Sequence, residues 1–306
     1  MDIYFLGTGA GMPTTRRNVS SMALRLYEER GSFWMFDCGE GTQHQVLRSP
    51  LKLGKCEFIF ITHLHGDHLF GLPGLLSSRA YQGGVTPLTV FGPKGLKKFI
   101  HTVFAVSETQ LPYELRIKEI EPGIIWSDDQ FTVTALPLEH RVLSYGYRVQ
   151  EKDRPGKLKF ELLQQKGIPP GPMYGKLKRG EDIELPNGEL VFAASVVGAP
   201  IPGRSVAILG DTRPCDNIVR LARNVDLLVH EATFLEGKKE NAHDFGHSTA
   251  KQAATAAKTA QAKKLALTHF SSRYKEDEVM EELLGEAREV FPNTVLADEH
   301  AIITTT

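Results

Sequence analysis

The stretch that most constrains this chain is residues 63–68, which read HLHGDH and closely follow the apolar run 58–61. That run has the length and the β-branched and aromatic content of a buried strand. Side chains two residues apart in an extended strand point the same way, so His63 and His65 can face one metal ion. Gly66 allows a sharp bend that turns the next two residues toward a second position. Imidazole and carboxylate without thiolate favour Zn²⁺, or Mn²⁺ as the alternative, in a catalytic site.

Four further apolar strands are predicted to end in residues that bind metals or transfer protons. Ligands in sheet-based α/β proteins gather at the carboxyl ends of the strands, so five such ends together predict an α/β fold with one shared site. The residues at these four ends are His140 after 131–138, Asp211 after 206–209, His230 and Glu231 after 226–229, and His269 after 265–268.

The histidines and acids sort into two metal sites. His63, His65 and His140 would hold one ion, Asp67, His68 and His269 the other, and Asp211 would bridge both. A water or hydroxide shared by two ions about 3.5–4 Å apart suits in-line displacement at phosphorus.

The leaving group in the hydrolysis of a phosphodiester is an alkoxide, and the pKa of its conjugate alcohol is high. A residue that donates a proton to the departing oxygen therefore helps the reaction. We expect Glu231 to orient His247 and to favour its protonated form. Alternatively, His247 has no catalytic role and only precedes a helix, whose capping-box spacing begins at Thr249. Asp37 is either a hydrogen-bond partner of the metal histidines or a plain turn aspartate. His230 is expected to pack or to bond locally.

Residues 7–13 form a glycine-rich loop after the first strand. The spacing is G-x-G-x-G, and another strand follows where a dinucleotide-binding helix would begin, so no organic cofactor is expected. A loop at a cleft, touching phosphate through its amides, fits better. Arg16, Arg17 and Asn18 add hydrogen-bond donors there.

Residues 150–200 show no continuous core periodicity. The window 151–180 carries eight Lys and Arg against three Asp and Glu, about +5, whereas the rest of the chain is about −6. It is either a solvated insertion or an arm that grips a phosphate backbone. The contacts of such an arm would be Tyr174, Lys176, Lys178 and Arg179.

Composition bounds the remaining classes. The 306 residues, of which 41% are hydrophobic, can bury a sizeable core. No apolar stretch approaches the roughly 20 residues that span a bilayer, so no membrane partner is expected. Three widely separated cysteines indicate free thiols in a reducing cytoplasm, and the start of the chain is not expected to be a signal peptide.

The histidine-rich motif resembles that of the metallo-β-lactamase superfamily. Further stretches resemble the ribonuclease Z family, the tRNA 3′-processing endonucleases, in its short form, essentially end to end. These stretches are 5–13 (FLGTGAGMP), 37–43 (DCGEGTQ), 171–178 (GPMYGKLK), 230–233 (HEAT) and 247–249 (HST). One departure lies in residues 13–18, where many short forms carry a lysine after the proline.

The resemblance implies a four-layer αβ/βα sandwich, two zinc ions per chain and a homodimer. It implies precursor tRNA as the substrate, cut after the discriminator nucleotide to leave a 3′-hydroxyl. It makes Asp67 a proton acceptor as well as a ligand. It also implies one domain over 1–306, with a flexible, protruding exosite arm at about 150–195.

Two rival hypotheses remain. A small-ester hydrolase, such as an arylsulfatase or a cyclic-nucleotide phosphodiesterase, could use the same metal core, but it would not need a distant basic clamp. A non-catalytic RNA-binding or scaffold protein could keep a relic site, yet all seven ligand positions hold competent residues.

Overall fold

The computed structural model describes residues 1–274 and 277–305. The chain divides into two compact units. The first comprises Met1–Ser127, Thr132–Val149 and Ser205–Thr306, and the second comprises Asp128–Phe131 and Gln150–Arg204.

The strands of the described residues are β1 Asp2–Gly7, β2 Gly9–Ala10, β3 Ser21–Leu26, β4 Ser32–Phe36, β5 Cys56–Phe60, β6 Leu88–Gly92, β7 Leu115–Glu119, β8 Gly123–Ser127, β9 Phe131–Leu138, β10 Ser144–Glu151, β11 Ile183–Glu184, β12 Leu190–Val191, β13 Ser205–Leu209, β14 Leu227–Glu231, β15 Leu265–Thr268, β16 Phe270–Ser271, β17 Thr294–Leu296 and β18 Ile302–Thr304. The helices are α1 Tyr27–Arg30, α2 Thr42–Leu47, α3 Gly66–Leu69, α4 Leu72–Tyr81, α5 Leu96–Val106, α6 Phe160–Gln165, α7 Pro172–Lys178, α8 Ala193–Val196, α9 Asp216–Ala222, α10 Lys239–Phe245, α11 Ala250–Thr259 and α12 Asp277–Val290.

Two large sheets carry the site. The first has the order β18-β1-β3-β4-β5-β6-β7, with β4 to β7 parallel. The second has the order β17-β15-β14-β13-β10-β9-β8, with β13, β14, β15 and β17 parallel. Parallel strands present their carboxyl ends at one edge, which is where the sequence places the metal-type residues.

The two sheets face each other across an aromatic layer. The ring of Tyr147 in β10 packs against that of Phe60 in β5 at 5.3 Å, and its hydroxyl donates to the carbonyl of Ile61 at 2.6 Å. Trp126 of β8 packs edge-on against Trp34 and Phe58 of the first sheet. Burying such large rings contributes heavily to stability.

Helices cover the outer faces of both sheets. Leu75 of α4 and Ile100 of α5 belong to the core outside the first sheet, and Leu221 of α9 and Leu283 of α12 to that outside the second. The layers therefore run helix, sheet, sheet, helix. Among the described residues, no helix combines the length and the apolar composition needed to cross a bilayer.

The alanine-rich helix α11 begins as the sequence predicts. Thr249 accepts a hydrogen bond from the backbone of Gln252, and the Gln252 side chain accepts one from the backbone of Thr249, which completes a capping box. The helix stops at Thr259. Gln261 then takes a left-handed φ of 56°, which a helix cannot continue through.

The second unit has a core of its own, which the missing periodicity concealed. Short elements α6, α7, α8, β11 and β12 surround buried residues such as Leu163, Leu177 and Val191. Their apolar positions come from separate short segments, so no single window shows a repeat. Over its whole extent, 128–131 and 150–204, the unit carries nine Lys and Arg and nine Asp and Glu, so the positive charge is local.

Candidate metal centre

The ends of the two parallel strand sets bring the predicted ligand residues together. His63 follows β5, Asp67 and His68 lie in the short helix α3, His140 follows β9, Asp211 follows β13 and His269 follows β15. His269 adopts a left-handed φ of 59°, as does Asp37 after β4. Such backbone strain in residues other than glycine concentrates at functional sites.

The first ligand group consists of His63, His65, His140 and Asp211, whose ligand atoms all lie within 4.8 Å of one another. His65 Nδ1 lies 3.1 Å from His63 Nε2 and 3.2 Å from His140 Nε2. Three imidazoles from two strand ends therefore converge on one point.

The second group consists of Asp67, His68, Asp211 and His269, within the same limit. His68 Nε2 lies 3.2 Å from His269 Nε2, and Asp67 Oδ2 lies 3.4 Å from the same atom. Asp67 also accepts a hydrogen bond from the backbone N–H of Gly11 at 2.7 Å, so the glycine-rich loop reaches the centre.

Asp211 belongs to both groups through different oxygens. Its Oδ1 lies 3.4 Å from both His68 Nε2 and His269 Nε2. Its Oδ2 lies 3.7 Å from His63 Nε2 and 4.0 Å from His140 Nε2. Asp211 therefore faces the two ligand groups with a different oxygen toward each.

The donor set fits a pair of divalent cations. Two imidazole nitrogens bound tetrahedrally at roughly 2.0–2.1 Å from one Zn²⁺ are separated by about 3.3–3.4 Å, close to the spacings seen here. Burial lowers the pKa of His63, His65 and His140, with the neighbouring histidines adding to the effect. They are therefore held as neutral imidazoles, the form that binds metal.

In His68 and His140, the ring nitrogen that points away from the ligand group makes a hydrogen bond that fixes the tautomer of the ring. His68 Nδ1 donates to Asp37 Oδ2 at 2.7 Å, and His140 Nδ1 donates to the carbonyl of Gly246 at 2.7 Å. Gly246 is required there, because its φ is +82° and a Cβ would lie 2.9 Å from His140. These bonds leave Nε2 free to face the cluster, and they give Asp37 the first of its two predicted roles.

Glu231 and His247 form a buried pair beside the centre. His247 Nδ1 donates to Glu231 Oε1 at 2.9 Å, and the same oxygen accepts from the backbone of Thr212 at 3.0 Å. Burial alone would lower the pKa of His247, but the Glu231 carboxylate, helped by Asp211, raises it to about 9. The pairing with Glu231 thus favours the protonated form of His247 at neutral pH. His230 points elsewhere, with Nδ1 bonded to the carbonyl of Glu231 at 2.7 Å.

A cleft of about 350 Å³ opens over the two ligand groups. It is lined by ligand residues, His247, Arg141 and Arg273, and it adjoins a cavity of about 590 Å³ that shares Met12, Ser271 and Ser272 with it. Sequence reasoning missed the two arginines. It also missed the hydroxyls of Thr62 and Thr233, which bond to ligand histidines.

The predicted RNA-contact residues fall in two places. Arg16 is exposed and pairs with Asp277 at 2.8 Å. Arg17 is mostly buried, bonds to Thr8 at 2.6 Å and stacks on Phe270, and the Asn18 amide donates to the carbonyl of Glu40. In the second unit, Lys176, Lys178 and Arg179 are exposed, whereas the Tyr174 hydroxyl donates to the carbonyl of Ile168.

Comparison with known proteins places the chain. The family model described as anti-Pycsar protein Apyc1 matches residues 1–120, and that of the beta-lactamase superfamily domain matches 179–270. The ribonuclease Z of Bacillus licheniformis is 55% identical over 97% of this chain and 96% of its own length. That of Geobacillus kaustophilus is 54% identical over 98% of each. The chain belongs to the ribonuclease Z family.

A solved structure agrees with this assignment. The short form of human tRNase Z superposes with a TM-score of 0.73 at 34% identity, covering 100% of each chain. A diphosphatase of the PhnP family superposes with a TM-score of 0.64 at 17% identity, which shows the fold alone. The predicted metallo-β-lactamase-type α/β sandwich is confirmed. As a member of the ribonuclease Z family the chain is a metal-dependent nuclease, and its two ligand groups are consistent with that.

Proposed function

We propose that this chain is a zinc-dependent endoribonuclease that removes 3′ trailers from tRNA precursors. It cuts after the discriminator nucleotide and leaves a 3′-hydroxyl on the tRNA. One observation carries the proposal: Asp211 joins two ligand groups beside a Glu231–His247 pair, in a chain of the ribonuclease Z family. The likeness to a tRNase Z supports tRNA as the substrate.

Seven residues are proposed as ligands of two Zn²⁺ ions, with Mn²⁺ as the alternative. When bound, such ions acidify a water and stabilise the attacking and leaving oxygens of the phosphoryl group. The proposed ligands are His63, His65 and His140 for one ion, Asp67, His68 and His269 for the other, and Asp211 for both.

The chain's own residues move the protons. Asp67, which lines the cleft and accepts a hydrogen bond from the backbone N–H of Gly11, is the acceptor of the proton from the attacking water. His247, charged through Glu231, donates a proton from Nε2 to the departing 3′-oxygen.

Substrate binding is proposed for both units. Arg16, Arg17 and Asn18 hold the loop at the cleft, with Arg16 the most exposed of the three. Tyr174 supports α7, whose Lys176, Lys178 and Arg179 contact the tRNA backbone. The protruding arm at about 150–195 on a single domain, the association of two copies and a cytoplasmic location stay predictions.

The decisive experiment is to incubate the purified protein with a 3′-extended tRNA and to map the ends of the products. We expect one cut after the discriminator nucleotide, a 3′-hydroxyl on the tRNA, and loss of activity on chelation that zinc restores. A cut elsewhere, or activity that resists chelation, would refute the proposal.

The arm is tested by replacing Lys176 and Lys178 together with alanine. We expect a higher KM for precursor tRNA and a salt dependence reduced by about one unit of slope per lost phosphate contact. Hydrolysis of bis(p-nitrophenyl) phosphate should not change. Lys166→Ala is the matched control, because Lys166 is already paired with Glu189 at 2.6 Å in the same unit. Equal losses on both substrates would remove the exosite.

A further inference from the structure

The hydroxyl of Thr233 lies at the meeting point of three groups. Thr233 is buried, two residues beyond the end of β14. Its Oγ1 lies 2.6 Å from Glu231 Oε2, 2.9 Å from His269 Nδ1, 3.0 Å from the carbonyl oxygen of His269 and 3.4 Å from His247 Nδ1. The backbone N–H of Thr233 also donates to Glu231 Oε2, at 3.2 Å.

The Thr233 hydroxyl carries one proton, and this fixes which of its hydrogen bonds it donates. Glu231 already accepts at Oε1 from His247 Nδ1 and from the backbone of Thr212, so it acts as a carboxylate. The single hydroxyl proton of Thr233 goes to the charged oxygen at 2.6 Å in preference to the neutral carbonyl at 3.0 Å. Oγ1 then offers only a lone pair to His269 Nδ1, which must be the donor.

The tautomer of His269 follows. With its proton on Nδ1, His269 turns the lone pair of Nε2 toward Asp67 Oδ2, Asp211 Oδ1 and His68 Nε2, all 3.2–3.4 Å away. The same carboxylate that receives this link holds His247 through its other oxygen. One hydrogen-bonded chain therefore runs from His269 through Thr233 and Glu231 to His247.

We infer that Thr233 is a positioning residue that sets the tautomer of the ligand His269 and joins it to the proton-donating pair. In this role Thr233 acts through His269 and Glu231. The catalytic part of the inference rests on the proposed function, whereas the metal-binding part does not.

Two substitutions separate the hydroxyl from the methyl group. Thr233→Val keeps the shape and removes the hydroxyl, and Thr233→Ser does the reverse. In the apoprotein, zinc affinity is measured by competition with a chelator, and the His269 tautomer is read from long-range ¹H–¹⁵N spectra. We expect Thr233→Val to weaken zinc binding by about 10–100-fold and to lose the fixed Nδ1–H form, as the removal of a ligand's hydrogen-bond partner does elsewhere. Thr233→Ser should stay near wild type.

Kinetics on a 3′-extended tRNA add a second readout. Thr233→Val should lower kcat and leave KM unchanged, and Thr233→Ser should restore kcat. The control is Thr89→Val, a buried threonine in β6. Zinc affinity unchanged by valine, or serine as damaging as valine, would show a packing role and overturn the inference. If no variant cuts the tRNA but zinc affinity still separates valine from serine, the proposed function fails and the positioning role stands.

Discussion

The two halves of the sandwich, each built on one large sheet, contain the same arrangement of hydrogen bonds but use it for different functions. The arrangement is a carboxylate that accepts a hydrogen bond from one histidine and a second from a threonine, whose hydroxyl in turn bonds to another histidine. The carboxylate is Asp37, after β4, in the first sheet and Glu231, at the end of β14, in the second. The distances in the first half are 2.7 Å for His68 to Asp37, 2.9 Å for Thr62 to Asp37 and 3.0 Å for His63 to Thr62. In the second half they are 2.9 Å for His247 to Glu231, 2.6 Å for Thr233 to Glu231 and 2.9 Å for His269 to Thr233.

The difference lies in where the directly bonded histidine points. The side chain of His68 is 3% exposed, and its Nε2 faces Asp211 at 3.4 Å. That of His247 is 15% exposed and lines the cleft. Through this arrangement the first half presents two proposed ligands, His63 and His68, and the second presents one proposed ligand, His269, and one proposed proton donor, His247. The role of a carboxylate–histidine pair therefore depends on whether the second ring nitrogen faces the ligand groups or the cleft.

The largest expected effect comes from removing the residue that the two halves share. Asp211→Ala takes away the negative charge that faces both ligand groups. We expect less than about one zinc per chain by elemental analysis and no detectable cleavage, because an uncompensated pair of dications repels. Retention of two zinc ions would show that the groups do not depend on a bridge.

The next test breaks the symmetry between the two directly bonded histidines. His247→Ala should slow cleavage by roughly 10²–10⁴-fold, the usual contribution of a general acid, with zinc content unchanged. His68→Ala should instead lose zinc. If both variants lost metal, or if His247→Ala cleaved at the wild-type rate, the two histidines would not differ in role.

A pH profile sharpens the same contrast. The pKa of His247 is raised to about 9, so its protonated form is present below that value and is lost as pH rises through it. The stabilisation by its pairing with Glu231 is complete below the ordinary pKa of about 6.5 and is lost on the same rise. Bound cations oppose the positive charge of His247, so the alkaline limb of kcat should fall at or below pH 9.

Glu231→Gln should move that limb to lower pH, and an unmoved limb would contradict the pairing of His247 with Glu231.

The smallest effect is expected from the first carboxylate. Asp37→Asn removes the carboxylate charge and leaves one acceptor oxygen for three donors, which are His68 Nδ1, the Thr62 hydroxyl and the Thr62 backbone N–H. We expect zinc affinity to fall by about 10–100-fold while the alkaline limb stays in place. Saturating zinc should recover most of the rate. A shifted limb would mean that Asp37 reaches the proton donor, and the two halves would not be separable.

The sequence by itself determined the strand ends, the seven candidate ligands and the cap of α11. Each is encoded in a window of a few residues, where apolar periodicity and ligand spacing can be read directly. It also singled out the loop at residues 7–13, although not the Gly11 N–H that reaches Asp67. The resemblance added the family, which the relatives then confirmed.

Only the tertiary structure decided which groups meet. His68 and His269 lie 201 positions apart, and their ring nitrogens approach to 3.2 Å only because two sheets pack face to face. The tertiary structure also turned Arg17 inward onto Phe270 and gave residues 150–204 a core built from separate short segments. Hydrogen-bond direction depends on backbone angles and on distant neighbours, and no local pattern in a sequence contains either.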